Sequence, residues 1–144
     1  MRLIVPVAVW VAGLIIGASL APATVHAIHA TGLSCAAPFR VSATTLRVID
    51  GDTFTMRLRT WLQTEQVETV RLLGVDTPEL RGPDRALALE AQQYTIAWLK
   101  AAETIWVSVC TRDSFGRLLA VVQRAGDPLP LADALIRAGH GIKR

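Results

Sequence analysis

Five short apolar stretches, each cut off by turn residues, with one helical stretch between the third and the fourth, confine this chain to a small β-rich architecture. Val41 to Ile49 alternates weakly and runs into Asp50-Gly51, a pair that favours a hairpin turn, after which Thr53 to Leu58 alternates again as a second strand. Gln63 to Gln66 reads as a polar loop, and Val67 to Val75 as a third strand that stops at Asp76-Thr77-Pro78, since proline cannot continue a ladder. Gly82-Pro83-Asp84 opens a helix with Leu87, Ala91, Tyr94 and Trp98 recurring on one face. Thr104 to Val109 and Leu118 to Val122, separated by the turn Ser114-Phe115-Gly116, make a second hairpin. A short helix, Leu131 to Ala138, follows Pro128 and Pro130, with Leu131, Leu135 and Ile136 facing inward.

The predicted fold class is therefore mainly β with helices (α+β). Three strands, a helix, two strands and a helix suit a five-stranded Greek-key barrel of the oligonucleotide-binding (OB) type, which closes on itself and leaves few exposed edges. A generic α+β sheet is the competing architecture.

The N-terminal quarter has a different character. Arg2 is followed by Leu3 to Leu20 without a charge, then by Val25-His26-Ala27, whose small residue suits signal peptidase. Residues 1–27 read as an export signal, 28–40 as a linker and 41–144 as the folded domain. The apolar stretch approaches the ~20 residues that cross a bilayer, so an uncleaved anchor through residues 3–20, with the domain facing outside, is the alternative. The expected location is accordingly periplasmic or secreted. Removal of residues 1–27 takes away only Arg2, leaving 14 basic and 12 acidic residues. That mild excess permits nucleic-acid binding without establishing it. The two cysteines, Cys35 and Cys110, both lie beyond the signal, and in an oxidising compartment a Cys35–Cys110 disulfide is the one intramolecular pairing open to them.

Three motifs place charged residues where apolar strands end: Val48-Ile-Asp-Gly-Asp-Thr53, Val70-Arg-Leu-Leu-Gly-Val-Asp-Thr-Pro-Glu79 and Asp113-Ser-Phe-Gly-Arg117. Asp52 and Asp76 can present oxygens to one Ca²⁺, with the backbone carbonyl of Thr77 as a further donor. Asp-Gly-Asp by itself is a weak signal, because an aspartate there ordinarily caps a turn. Arg71 interrupts a buried run, which directs it to a polar cleft; Arg117 follows a tight turn, where an arginine is more often solvated. Together the two guanidinium groups can fork around a phosphate, and Glu79 can take a proton from an attacking water or orient it. These are the requirements of phosphodiester hydrolysis. His26 and His29 flank the cleavage site and His140 falls at a chain end expected to fray, so none is assigned a role in the chemistry.

At these spacings, from about Thr45 to Gly139, the chain resembles the staphylococcal nuclease-like (thermonuclease) family. The resemblance implies an OB barrel, Asp52, Asp76 and the Thr77 carbonyl as calcium ligands, and Arg71, Glu79 and Arg117 as the catalytic trio. It further implies calcium-dependent hydrolysis of DNA and RNA at the bond to the 5′ oxygen, leaving 3′-phosphate ends. The expected partner is single-stranded nucleic acid, which the open face of an OB barrel takes, and the expected state is a monomer. The chain departs from the family at the nucleotide clamp: Ser114 precedes the turn aromatic where a lysine is usual, and no tyrosine follows the second helix. The rival from another class is a non-catalytic OB-type module that binds single-stranded nucleic acid or a protein partner.

Overall fold

A computed structural model describes Cys35 and residues 39–144. The signal, the anchor alternative and nearly all of the linker lie outside the described residues. Among those described, no helix is long and apolar enough to cross a membrane.

Among the described residues, seven strands and two α-helices follow in order: β1 (Phe39–Val48), β2 (Thr53–Arg59), β3 (Glu65–Leu72), β4 (Val75–Asp76), α1 (Arg85–Lys100), β5 (Ile105–Arg112), β6 (Leu118–Arg124), α2 (Leu131–Arg137) and β7 (Ile142–Lys143), with a single 3-10 turn, Trp61–Gln63, between β2 and β3. Five of them close a barrel in the order β1-β2-β3-β6-β5, with β5 returning to β1. Only the β3–β6 contact is parallel; the other four are antiparallel. This is the OB-type barrel with two helices expected from the element order.

Alternation fixes which side chains fill the barrel. Phe54, Met56 and Leu58 of β2, Val70 and Leu72 of β3, Val107 of β5, and Ala120 and Val122 of β6 are buried, while the intervening residues face outward. Leu131, Ala132, Ala134 and Leu135 of α2 close one part of the core, as Leu131 and Leu135 predict; Ile136 is only partly buried against it.

Three expectations need correction. The third strand is not continuous to Val75. It ends at Leu72, the chain turns at Gly74 with φ of +84°, a conformation costly for residues with a Cβ, and Val75–Asp76 leaves the barrel to pair with β7. On α1, Ala91 and Trp98 are buried and Tyr94 packs against the core as expected, but Leu87 is 53% exposed, and Ala88, Thr95 and Leu99 complete the packed face. The helix is turned so that small residues meet the β1–β2 turn. A Cβ on Gly51 would come within 2.8 Å of the Ala91 Cβ, which shows how closely backbone and helix approach. Finally, the chain end does not fray at His140. Its amide donates to the Leu135 carbonyl, its ring lies 5.0 Å from that of Tyr94, and β7 follows it.

Cys35 and Cys110 form the disulfide, tying the residues ahead of β1 to β5 across 75 positions. Cys110 sits where the β5–β6 register shifts between Val109 and Thr111.

Candidate active site

The β1–β2 turn is held from two sides. The amides of Ile49 and Asp50 donate to the Thr53 carbonyl at 2.9 and 3.1 Å. From α1, Thr95 Oγ1 donates to the Gly51 carbonyl at 2.6 Å and Gln92 Nε2 to the Ile49 carbonyl at 2.9 Å. Asp52 is thereby fixed at the start of β2 with 1% of its surface exposed. A buried carboxylate is tolerated when its lone pairs are satisfied by donors and its charge is paired. Here Oδ1 accepts from Thr53 Oγ1 at 2.8 Å and from Arg71 Nη1 at 3.2 Å, and Oδ2 accepts from the Thr77 amide at 3.1 Å.

Arg71 stands opposite Thr53 in the β2–β3 ladder. Its second terminal nitrogen, Nη2, donates to Oδ1 of Asp76. One guanidinium thus spans two carboxylates that β2 and β4 bring together, and Arg144 Nη1 approaches the same Asp76 oxygen at 3.6 Å. Asp76 is the more open of the pair, with 46% of its side chain exposed against 2% for Asp52.

The structure therefore joins four of the six sequence-derived candidates, Asp52, Arg71, Asp76 and Thr77, in one hydrogen-bonded cluster. Among the described residues, Glu79 and Arg117 make no hydrogen bond or ion pair to it. Glu79 is exposed in the loop after β4, its carbonyl accepting from the Gly82 amide at 2.9 Å. Arg117 is held by Asp113, with Nε donating to Oδ2 at 2.7 Å, and its guanidinium lies 5.3 Å from the Phe115 ring centroid. It immediately precedes Leu118, which pairs with Val70, so the register puts Arg117 on the outer side of the barrel beside β3, as Arg71 is.

Asp50, a turn residue by its sequence, is a third carboxylate beside the cluster, its Oδ1 accepting from the Asp52 amide at 3.3 Å. Burial, and then the negative charge of Asp52, push its pKa up to about 6. The Asp-Gly-Asp spacing was the available signal, since it sets two acids on one tight turn.

Among the described residues, no group of three or more His, Cys, Asp or Glu side chains is arranged to hold a metal ion. A cation here would have Asp52 and Asp76, neutral oxygens from Thr77, and water. That all-oxygen set with few charges fits Ca²⁺ rather than a softer metal. Thr77 Oγ1, buried with no hydrogen-bond partner, is a spare oxygen in the same place.

A cleft of about 370 Å³ is lined by Asp76 and Thr77 together with Pro78, Leu87, His140 and Ile142. A larger cleft of about 490 Å³ lies between β1 and the end of α1 and contains none of the candidate residues.

The family model described as Staphylococcal nuclease homologue matches residues 69–142. The chain belongs to the staphylococcal nuclease family. The match takes in Arg71, Asp76, Thr77, Glu79 and Arg117, while Asp52 lies ahead of the matched span, on the hairpin that completes the barrel. Membership of the staphylococcal nuclease family supports a nuclease function and nucleic acid as the partner class. No curated protein matches the chain.

Proposed function

We propose that this protein is an exported, calcium-dependent endonuclease that hydrolyses DNA and RNA without regard to the sugar, cleaving the bond to the 5′ oxygen and leaving 3′-phosphate ends. The observation that carries the reading is the bridging of Asp52 and Asp76 by Arg71, with the Thr77 amide bound to the same Asp52. An arginine already desolvated between two carboxylates, with only 14% of its side chain exposed, is a strong donor for an incoming phosphate oxygen.

In this reading Asp52, Asp76 and the carbonyl of Thr77 hold the calcium ion, which when bound offsets phosphate charge and makes a nearby water easier to deprotonate. Arg71 and Arg117 grip the non-bridging oxygens, whose negative charge grows towards the transition state. Glu79, exposed in the loop that follows Asp76, accepts the proton of the attacking water or orients it. Pro78, Leu87 and His140, in the wall of the adjoining cleft, give a base a surface to rest on. Residues 1–27 act as the export signal and 41–144 as the nuclease domain, which works as a monomer in the periplasm or outside the cell. The Cys35–Cys110 bridge supports export, because such cross-links persist in oxidising compartments.

The test is cleavage of single-stranded DNA by the full-length protein with Ca²⁺, against a chelator control. Glu79→Gln is expected to lower kcat by a factor on the order of 100 or more while leaving KM nearly unchanged. Arg117→Ala is expected to reduce kcat more than ground-state affinity. Strand binding without metal-dependent cutting would transfer the case to a non-catalytic binding module.

A further inference from the structure

The outer face that carries Arg71 continues along β2 as a basic, hydroxyl-rich surface, and the ladder registers define its rows. Arg47, Thr55 and Thr69 are cross-strand neighbours on β1, β2 and β3. Two residues further on, Arg57 lies between Thr44 and Val67, and beyond that Arg59 lies between Ser42 and Glu65. These side chains alternate with the buried Phe54, Met56 and Leu58, so they point away from the core. Between Asp76 and Glu65 the rows contain no carboxylate.

The far end of this surface is built like a strand-binding groove. A cleft of about 390 Å³ there is lined by Ser42, Thr44, Arg57, Arg59 and Trp106 together with two carboxylates, Glu65 and Glu103. Arg40 stacks over Trp106 at 5.0 Å, and Trp61, just past β2, is 77% exposed. Arg57 and Arg59 share one acid, Glu65, at 3.5 and 3.9 Å. All three side chains are about half exposed or more, so the pairing is weak and exchangeable for a phosphate. Guanidinium groups and hydroxyls are the usual phosphate donors, and exposed aromatics stack on bases without regard to sequence.

We propose that the β1–β2–β3 outer face is a second binding site, a track that grips single-stranded nucleic acid several nucleotides away from the scissile phosphate through Arg57 and Arg59. The proposal rests on the nuclease reading, which supplies a polyanion running out of the Arg71 cluster. Thr53 to Arg59 covers about 20 Å of strand, enough for a few nucleotides and within the ~4 to 16 that one OB barrel accommodates. A dinucleotide is short enough to fill the cluster alone, and a 16-mer reaches the track.

The experiment measures binding of labelled oligothymidylates of these two lengths to the full-length protein in chelator, across a salt series. The 16-mer is expected to bind more tightly than the dinucleotide. Arg57→Ser combined with Arg59→Ser should weaken the 16-mer about 10-fold, lower its salt slope by about 1.4, and leave the dinucleotide unaffected. Glu65→Gln, which removes the competing carboxylate, should tighten the 16-mer about 3-fold, a gain that damage to the fold cannot produce. Equal affinity for both lengths in the unaltered protein, or an unchanged slope in the double variant, overturns the track. Adding Ca²⁺ separates the two readings: length-dependent binding without cleavage removes the hydrolase and keeps the track, and cleavage with an unchanged slope does the reverse.

Discussion

The Thr77 amide donates to Oδ2 of Asp52 at 3.1 Å across 25 positions of sequence, pinning the loop after β4 to the turn before β2. Asp52 thus has a structural task besides any chemical one, because three donors depend on its two oxygens. Replacing it with alanine strands the Thr77 amide and leaves Arg71 one carboxylate short in a buried setting. Asp52→Ala is expected to cost about 3 to 5 kcal/mol in urea denaturation under calcium-free conditions. A loss below about 1 kcal/mol would mean that water already satisfies these groups.

In the proposed function, Arg71 and a bound Ca²⁺ would call on the same two carboxylates, Asp52 and Asp76. Arg71→Ala should therefore bind Ca²⁺ more tightly than the unaltered protein while cutting far more slowly, since the phosphate loses its guanidinium. The first effect is read without turnover, as a larger rise in Tm on adding Ca²⁺. If the variant gains no more from Ca²⁺ than the unaltered protein, the two do not compete.

The hairpins were legible in the sequence because Asp50-Gly51 and Ser114-Phe115-Gly116 are turn chemistry, and Thr53 to Leu58 has a period of two. The packed face of α1 was legible in part: Ala91 and Trp98 are buried and Tyr94 packs against the core, as their spacing predicts, but Leu87 satisfies helical spacing as well as Ala88 does and is exposed. At Ala91 the backbone of Gly51 comes close, which suits a small side chain there. The β4–β7 pair escaped notice because strands of two residues have no periodicity. At the site, Asp52, Arg71 and Asp76 stood out as charges at the ends of, or within, apolar runs. That one arginine would join both acids was not legible, since this follows from the β2–β3 register and the turn at Gly74.

Asp50 offers a pH signature. Its pKa is raised from the ordinary carboxylate value of 3.8 to about 6, first by burial and then by the charge of Asp52. Between those values the folded protein holds more protons than the unfolded chain, so this group's contribution to stability falls as pH rises from about 4 to about 6. Asparagine keeps the oxygen that accepts from the Asp52 amide and removes the charge. Asp50→Asn should match the unaltered protein near pH 3.5 and become progressively the more stable as pH rises through 6, by thermal or urea melts in calcium-free buffer. A difference that does not change with pH would show that Asp50 titrates normally.

The disulfide sets the redox condition under which the barrel reaches full stability. Its 75-residue span is long, so in the chain-entropy account the bridge contributes about 4 kcal/mol by restricting the unfolded chain. It joins Cys35 to the irregular point of β5, on neither of the strands that supply Asp52 and Arg71. Cys35→Ser with Cys110→Ser, or reduction of the native protein, should therefore lower the urea midpoint by an amount corresponding to at most about 4 kcal/mol, with kcat on single-stranded DNA unchanged where both forms are folded. Loss of kcat in step with stability would show that the bridge reaches the site through the barrel, and an unmoved midpoint would show that the reduced chain is already held in place by the β1–β5 ladder.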